Sequence, residues 1–309
     1  MTHRILSQAE DRLFYGYRLR TDLPLTSLRS LPREGPADIE LISGDVPVEL
    51  PAAIWRGPFV QIGGAGDVLL RVGDHIRFRV VGGRQIIVNA AALPDAGDVE
   101  TMLLGSVAGI VLHQRGDLAL HASCVVIGDR ALVIAGPAGR GKSTLAALLA
   151  AQGFPVLTDD ICRVCFSDAR TWTVPGSSRL RLWPDGARMS GHSPEALAPG
   201  RSGHPKRLLV LPAMPPGLVP LGAVVRLQTD NRLEGPCLTR VSGMATLRQS
   251  DEILYRARLG RRLGRRAGLF QDLTRLAGLV PIFSLTRTDQ PSQHVEIVRL
   301  LIAMMKDLP

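Results

Sequence analysis

The run Gly136-Pro137-Ala138-Gly139-Arg140-Gly141-Lys142-Ser143-Thr144 has the spacing G-x-x-x-x-G-K-S and follows the apolar stretch Ala131–Ala135. Each part has a physical purpose. Glycines let the backbone curl until successive N–H groups point inward at phosphate oxygens, and a helix opening at the end of the loop adds the positive end of its dipole. In this pattern the lysine, Lys142, reaches the β- and γ-phosphates, and the hydroxyl after it, Ser143, ligates Mg²⁺. Lysine stands at only three positions (142, 206 and 306) among 37 basic residues, so its place in the motif is informative. The expected ligands are ATP and Mg²⁺.

The acids and bases nearby decide which reaction a bound nucleotide undergoes. Asp159-Asp160 close the short apolar run Val156–Thr158, 17 and 18 residues after Lys142. A parallel strand beside the loop strand would carry both carboxylates to the edge where the γ-phosphate sits. One carboxylate could accept a proton from an attacking hydroxyl while the other holds Mg²⁺. Both remain candidates for the base, and Asp160 is placed on the metal side. His121 lies 21 residues ahead of Lys142 between Leu120 and Ala122. Taken alone, a histidine in a strand is a satisfied core residue.

These residues need elements to hold them. Residues 38–93 read as β structure, with short apolar runs separated by Gly and Pro. Ile76, Phe78 and Val80 alternate with Arg77 and Arg79, and Gly82-Gly83 supply the positive φ of a hairpin turn before Ile86–Val88. From Asp98, a plausible N-cap, to Gly116 the pattern is helical, which sets a boundary between residues 97 and 98. Beyond it come a strand over 118–126, a strand over 131–135, a helix over 142–152 and a strand over 156–158. This alternation indicates an α/β domain. Residues 191–220 contain seven Pro and four Gly, which reads as a loop or lid. A strand at 282–286 and a helix over about 292–306, with Ile297, Leu300, Leu301 and Met304 on one face, end the chain.

The 309 residues suffice for two modest domains or one large one, and the formal charge is +9. Because nearly every basic residue is Arg, that charge is a compositional bias, and no nucleic-acid partner is expected from it. Arg256–Arg266 holds six Arg and no acid. It reads as an amphipathic helix with Tyr255, Leu259 and Leu263 on one side and Arg258, Arg261, Arg262 and Arg265 on the other, either a solvated face or a dock for an acidic peptide. Each long apolar run is interrupted by His, Asp or Arg, so no membrane span is expected, and the N-terminus lacks a signal core. The expectation is a cytoplasmic protein, with homo-oligomerisation left open. Cys162-x-x-Cys165 has no second ligand pair and reads as core packing.

Leu120-His121-Ala-Ser-Cys-Val-Val, the Gly128 turn, the glycine loop and Gly153-Phe-Pro-Val-Leu-Thr-Asp159-Asp160 together resemble the catalytic domain of HPr kinase/phosphorylase, over about residues 115–305. The implied fold class is α/β, a P-loop kinase domain of HPr-kinase type over 98–309 behind a smaller β-rich domain over 1–97. The resemblance implies that His121 belongs to the active site, that Ser143 binds Mg²⁺, and that one Asp of the pair is the base toward a protein serine. The chain resembles in particular the shorter HPr-kinase-like proteins that accompany ribosomally made peptides, including lasso-peptide precursor kinases. Pro175-Gly176 through Leu180-Arg-Leu-Trp-Pro-Asp185 and Lys206-Arg207 carry that likeness. Two departures stand out. The Leu-Glu-Ile-Arg-Gly segment of the bifunctional enzymes, whose Glu helps bind Mg²⁺, is missing. Asp185 either takes its place or caps the short helix over 186–189. Pro205 stands where the subgroup has Asp, and Lys206-Arg207 beside it are expected to contact phosphate. The function so implied is ATP-dependent transfer to a serine hydroxyl of a peptide or protein, with a small-molecule kinase or a nucleotide-gated scaffold for peptide maturation as alternatives.

Overall fold

The computed structural model describes residues 9–73, 75–89, 96–167, 169–200, 203–242, 250–288, 290 and 293–308. The chain is a mixed α/β protein of two compact units, Met1–Asp117 with Leu259–Arg265, and Leu118–Arg258 with Arg266–Pro309.

The first unit is built on a nine-stranded sheet: β1 (Glu10–Phe14), β2 (Tyr17–Thr21), β3 (Ser30–Leu31), β4 (Ile39–Ser43), β5 (Ala53–Arg56), β6 (Val60–Gly63), β7 (Val68–Val72), β8 (Ile76–Val81) and β9 (Gln85–Val88). The order is β3-β1-β2-β4-β9-β8-β7-β6-β5. In β8, Ile76, Phe78 and Val80 are buried as their alternation predicts, and Gly82 and Gly83 turn with φ of +57° and +63°. The β1–β2 hairpin precedes the expected β region. Tyr15 and Gly16 at its tip have φ of +50° and +83°, and Leu13 and Leu19 pack inward.

A helix does come next, but in three parts: α1 (Ala96–Met102), a π-helical stretch Leu103–Val107, and α2 (Ala108–Arg115), ended by Gly116 in the left-handed conformation. The Tyr15 hydroxyl donates to the Leu104 carbonyl in the π stretch at 2.7 Å. Gln114 accepts from the Gly83 N–H at 2.7 Å and donates to the carbonyls of Gly66 and Val80 at 2.8 and 3.0 Å. These bonds satisfy loop and strand-end backbone of the sheet. They explain why the helix belongs with the first unit, whose boundary falls at Asp117/Leu118 instead of 97/98. The basic segment differs from expectation too. One helix covers Ala257–Arg262, Gly264 turns with φ of +79°, and a second helix runs over Arg266–Leu279. Tyr255 and Leu259 are buried while Arg258 and Arg262 are exposed, as the amphipathic pattern expects, and the Arg262 guanidinium lies 4.1 Å over the Trp55 ring.

The second unit contains β10 (Leu118–Leu120), β11 (Ala122–Ile127), β12 (Arg130–Ala135), α3 (Lys142–Ala151), β13 (Val156–Thr158), β14 (Cys162–Ser167), β15 (Arg170–Thr173), β16 (Arg179–Leu182), α4 (Pro184–Met189), β17 (Ala198–Pro199), β18 (Arg207–Val210), β19 (Val219–Thr229), β20 (Cys237–Arg240), β21 (Ile282–Arg287) and α5 (His294–Lys306). The main sheet runs β13-β11-β12-β19-β21-β20, with β12, β19 and β21 mutually parallel. Leu145 and Leu149 of α3 and Ile297 and Leu301 of α5 bury one face. Leu269, Leu273 and Leu276 bury the other against Val133 and Val224. On α5, Val298 and Met305 complete the buried face, while Leu300 and Met304 are only half-buried. No helix among the described residues is long and apolar enough to cross a membrane.

Two expectations are corrected. The strand over 118–126 is interrupted at His121: β10 pairs with β14, whereas β11 pairs with β12 and β13. The chain changes strand partners at that residue, and the His121 N–H donates to the Ile253 carbonyl at 2.7 Å. The Pro- and Gly-rich stretch is not wholly irregular, because β18 pairs with β16 and β17 in a third, three-stranded sheet. Gln114 provides a test of the first unit. Its replacement by Ala strips three partners from loop and strand-end backbone and should lower stability by about 1–3 kcal/mol, read from urea denaturation.

Candidate active site

Strand β12 ends at Ala135, and the glycine loop leads into α3 with Gly141 at the N-cap position. Gly136, Gly139 and Gly141 all have positive φ, of +136°, +80° and +83°. A Cβ on Gly136 would also lie 3.0 Å from the Leu227 carbonyl of β19, so only glycine fits. The Lys142 ammonium folds over the loop, donating to the carbonyls of Gly136 and Pro137 at 2.9 and 3.0 Å. It reaches His121 Nε2 at 3.1 Å. Burial pulls its pKa down to about 8; Asp159 and Asp160 oppose the shift, and Lys206 adds to it.

The aspartates arrive by a different route from the one expected. β13 is not beside the loop strand: β11 lies between them, antiparallel to both. β13 therefore runs in the same direction as β12 and delivers Asp159 to the same edge. The intervening strand contributes Ser123, whose hydroxyl donates to Asp159 Oδ1 at 2.5 Å. The Ser143 hydroxyl lies 3.0 and 3.1 Å from the two carboxylate oxygens, and the Arg181 N–H donates to Oδ2 at 3.4 Å. Asp160 comes next in the left-handed region at φ +69°, in a turn held by Thr158 Oγ1 on the Ile161 carbonyl at 2.7 Å. That conformation sends its side chain elsewhere. His121 Nδ1 is 3.1 Å from the Asp160 carbonyl and 3.3 Å from Oδ1, and the Arg181 guanidinium donates to Oδ2 at 2.8 Å. Burial favours the neutral acid, but the His121 hydrogen bond and the Arg181, His121 and Lys142 charges outweigh it and bring the pKa to about 2.

These groups line a cleft of about 240 Å³ with Ala138, Gly139, Gly141, Thr144, Trp183 and Lys206. The Lys206 ammonium lies 5.6 Å from the half-exposed Trp183 ring, its pKa lowered by burial and by Arg181. The helix α4 holds this wall close: a Cβ on Gly186 would come within 2.7 Å of Thr144 Oγ1. Gly136 is set back from the cleft and supplies a carbonyl to Lys142, and Arg140 turns its guanidinium to Thr229 Oγ1 at 3.0 Å. Arg207, next to Lys206 in extended chain, is on the opposite side of the strand and does not line the cleft. Asp185 is corrected as well. It is 92% exposed and pairs with Arg188 at 3.1 Å, so it neither ligates with Ser143 nor caps α4, whose N-cap is Trp183. Cys162 is buried in the core, whereas Cys165 is half-buried on the other face of the strand and belongs to no core cluster among the described residues.

Ser143 and Asp159 offer hard oxygen donors side by side, and among the described residues no group of three or more His, Cys, Asp or Glu forms a cage. That set suits Mg²⁺, which keeps waters and substrate phosphates as its remaining ligands. The pairing places Asp159, and not Asp160, with the Ser143 hydroxyl. Sequence reasoning missed Ser123, Arg181 and Trp183. Ser123 stands two residues after His121, and Arg181 belongs to the alternating Arg179-Leu180-Arg181-Leu182, so both carried a weak signal.

No protein-family model matches the chain, and no curated protein matches it. Among the solved structures that match is the Hpr(Ser) kinase/phosphatase from Coxiella burnetii, at 11% identity over 60% of this chain and 95% of that chain, with a TM-score of 0.33.

The Asp160 environment has a consequence for stability. Its folded pKa lies below the unfolded value, so its contribution is present above pH 3.8 and fades as pH falls toward 2. Wild type should exceed Asp160→Asn by about 2 kcal/mol near neutral pH, and the gap should close between about pH 4 and 2, measured by chemical denaturation along a pH series.

Proposed function

We propose that the protein is an ATP-dependent kinase that transfers the γ-phosphate to a hydroxyl, and that the acceptor is a serine of a peptide or protein, a ribosomally made precursor of lasso type being the first to test. The observation that supports transfer is the convergence of Lys142, Ser143, Asp159 and Asp160 at one sheet edge, in one cleft. The peptide acceptor rests on the sequence resemblance.

In this reading the loop N–H groups and Lys142 hold the β- and γ-phosphates. Ser143 and Asp159 would hold Mg²⁺, which when bound neutralises charge developing on the transferred group. Lys206, across the cleft, is placed to meet the same group. Asp160 is the base that takes the acceptor's proton as its oxygen attacks the γ-phosphorus and the ADP oxygen leaves. His121 and Arg181 fix its carboxylate, and its low pKa keeps it ionised throughout the ordinary assay range.

The test is transfer of label from γ-³²P-ATP to candidate peptides and metabolites. Label on a metabolite alone would replace the peptide acceptor, and ATP binding with no transfer to any hydroxyl would leave a scaffold. Lys142→Ala should abolish Mg·ATP binding in calorimetry, and Lys142→Arg should fail also, since a planar guanidinium does not fit a cradle shaped for an ammonium. Asp160→Asn should lower turnover about 10²–10⁴-fold with ATP affinity little changed, whereas Asp159→Asn should raise the Mg²⁺ concentration required. Wild-type turnover in Asp160→Asn would refute the assignment of the base.

Lys142 also sets a pH dependence. Phosphates bind its protonated form, and in the free protein that proton is lost with a pKa of about 8. ATP affinity should therefore be flat below pH 8 and fall roughly tenfold per pH unit above it, with proton uptake on binding visible in buffers of different ionisation enthalpy.

A further inference from the structure

Arg287 ends β21, is not among the residues that line the cleft, and nothing in the motif points to it. It is 6% exposed. One arm of its guanidinium donates to the Thr288 carbonyl at 2.8 Å, and the other donates to the Arg140 carbonyl, in the middle of the loop, at 3.1 Å. The second arm also lies 3.0 Å from where a Cβ on Gly141 would stand. The strand end is itself pinned. The Asp230 N–H donates to the Arg287 carbonyl at 2.9 Å, and the Thr288 N–H donates to Gln293 Oε1 at 3.1 Å. Thr229, the register partner of Arg287 on β19, accepts from the Arg140 guanidinium at 3.0 Å.

The peptide bond between Arg140 and Gly141 is planar and trans, so its C=O and N–H point in opposite directions. A hydrogen bond that turns the Arg140 carbonyl back toward Arg287 therefore turns the Gly141 N–H away from it. Gly141 itself lines the cleft.

We infer that Arg287 is a positioning residue for nucleotide binding: it fixes the Arg140–Gly141 peptide so that the Gly141 N–H faces the phosphate position, and it sets a buried positive charge behind that position. The inference rests on the nucleotide reading of the cleft. It gives Gly141 a second reason to be glycine, since besides its positive φ the residue must leave room for the guanidinium. The charge acts through little water, so its effect should grow with the number of phosphates on the ligand.

The experiment compares wild type with Arg287→Met and Arg287→Lys in full-length protein, titrating Mg·ATP, Mg·ADP and adenosine by calorimetry. The Gly141 amide is followed by ¹H–¹⁵N NMR as a non-hydrolysable ATP analogue is added. Arg287→Met should weaken Mg·ATP at least tenfold and Mg·ADP less, leave adenosine unchanged, and abolish the ligand-induced shift of the Gly141 amide. Arg287→Lys, which keeps the charge and loses the fork, should recover part of the affinity. Unchanged Mg·ATP affinity in Arg287→Met would overturn the inference, as would an equal loss for ATP and adenosine. If Arg287→Met does not fold, Arg287→Lys and Arg287→Gln decide on the same readings, wild-type Mg·ATP affinity in both being the overturning result. A wild type that binds ATP beside an unaffected variant sinks only the role of Arg287, whereas a wild type that binds no ATP sinks the nucleotide reading and this role together.

Discussion

A carboxylate taken out of water must be given donors, and the second unit is arranged around that requirement at Asp159. Only 4% of the residue is exposed. Its oxygens are met by Ser123 from the strand between β12 and β13, by Ser143 from the first turn of α3, and by the Arg181 amide from the three-stranded sheet. Three separate pieces of chain are thereby drawn to one point. The glycine loop is held at the sheet edge by the same bonds that satisfy the acid.

Asp160 is the counterpart, and the difference between the neighbours is conformational. The left-handed φ of Asp160 turns its side chain out of the Asp159 cluster and into a row that runs Lys142, His121, Asp160, Arg181. Cations stand at both ends of that row with the imidazole and carboxylate between them. The two acids thus divide their work by geometry: one is tied to a hydroxyl suited to a metal, the other is aligned by groups that keep it ionised. His121 stands at the break between β10 and β11, its N–H on the Ile253 carbonyl and its ring in this row.

Much of this was legible in the sequence. The loop, α3 and the Asp-bearing strand have local signals of spacing and glycine, and the Gly82-Gly83 hairpin declares itself by alternation. The illegible part depends on pairing between distant segments. Nothing near Val156–Thr158 shows that β11 inserts between it and β12, so Ser123 could not be assigned to Asp159. Lys206 was found because lysine is rare here, but the side of the strand taken by Arg207 depends on β16 as its partner. Asp185 had the right residue type, and α4 turns it to solvent beside Arg188. In the basic stretch, Gly264 ends the helical repeat, and Arg262 stays exposed while it stacks on Trp55.

The segment Leu259–Arg265 belongs to the first unit although its neighbours on both sides belong to the second. The chain therefore crosses between the units not once but at Asp117, again at Arg258 and again at Arg265. A protease that nicked the polypeptide at the first crossing would not set either unit free, and a gene truncated there would deprive Trp55 of the arginine stacked on it. One polypeptide thus joins the two units at three points instead of one.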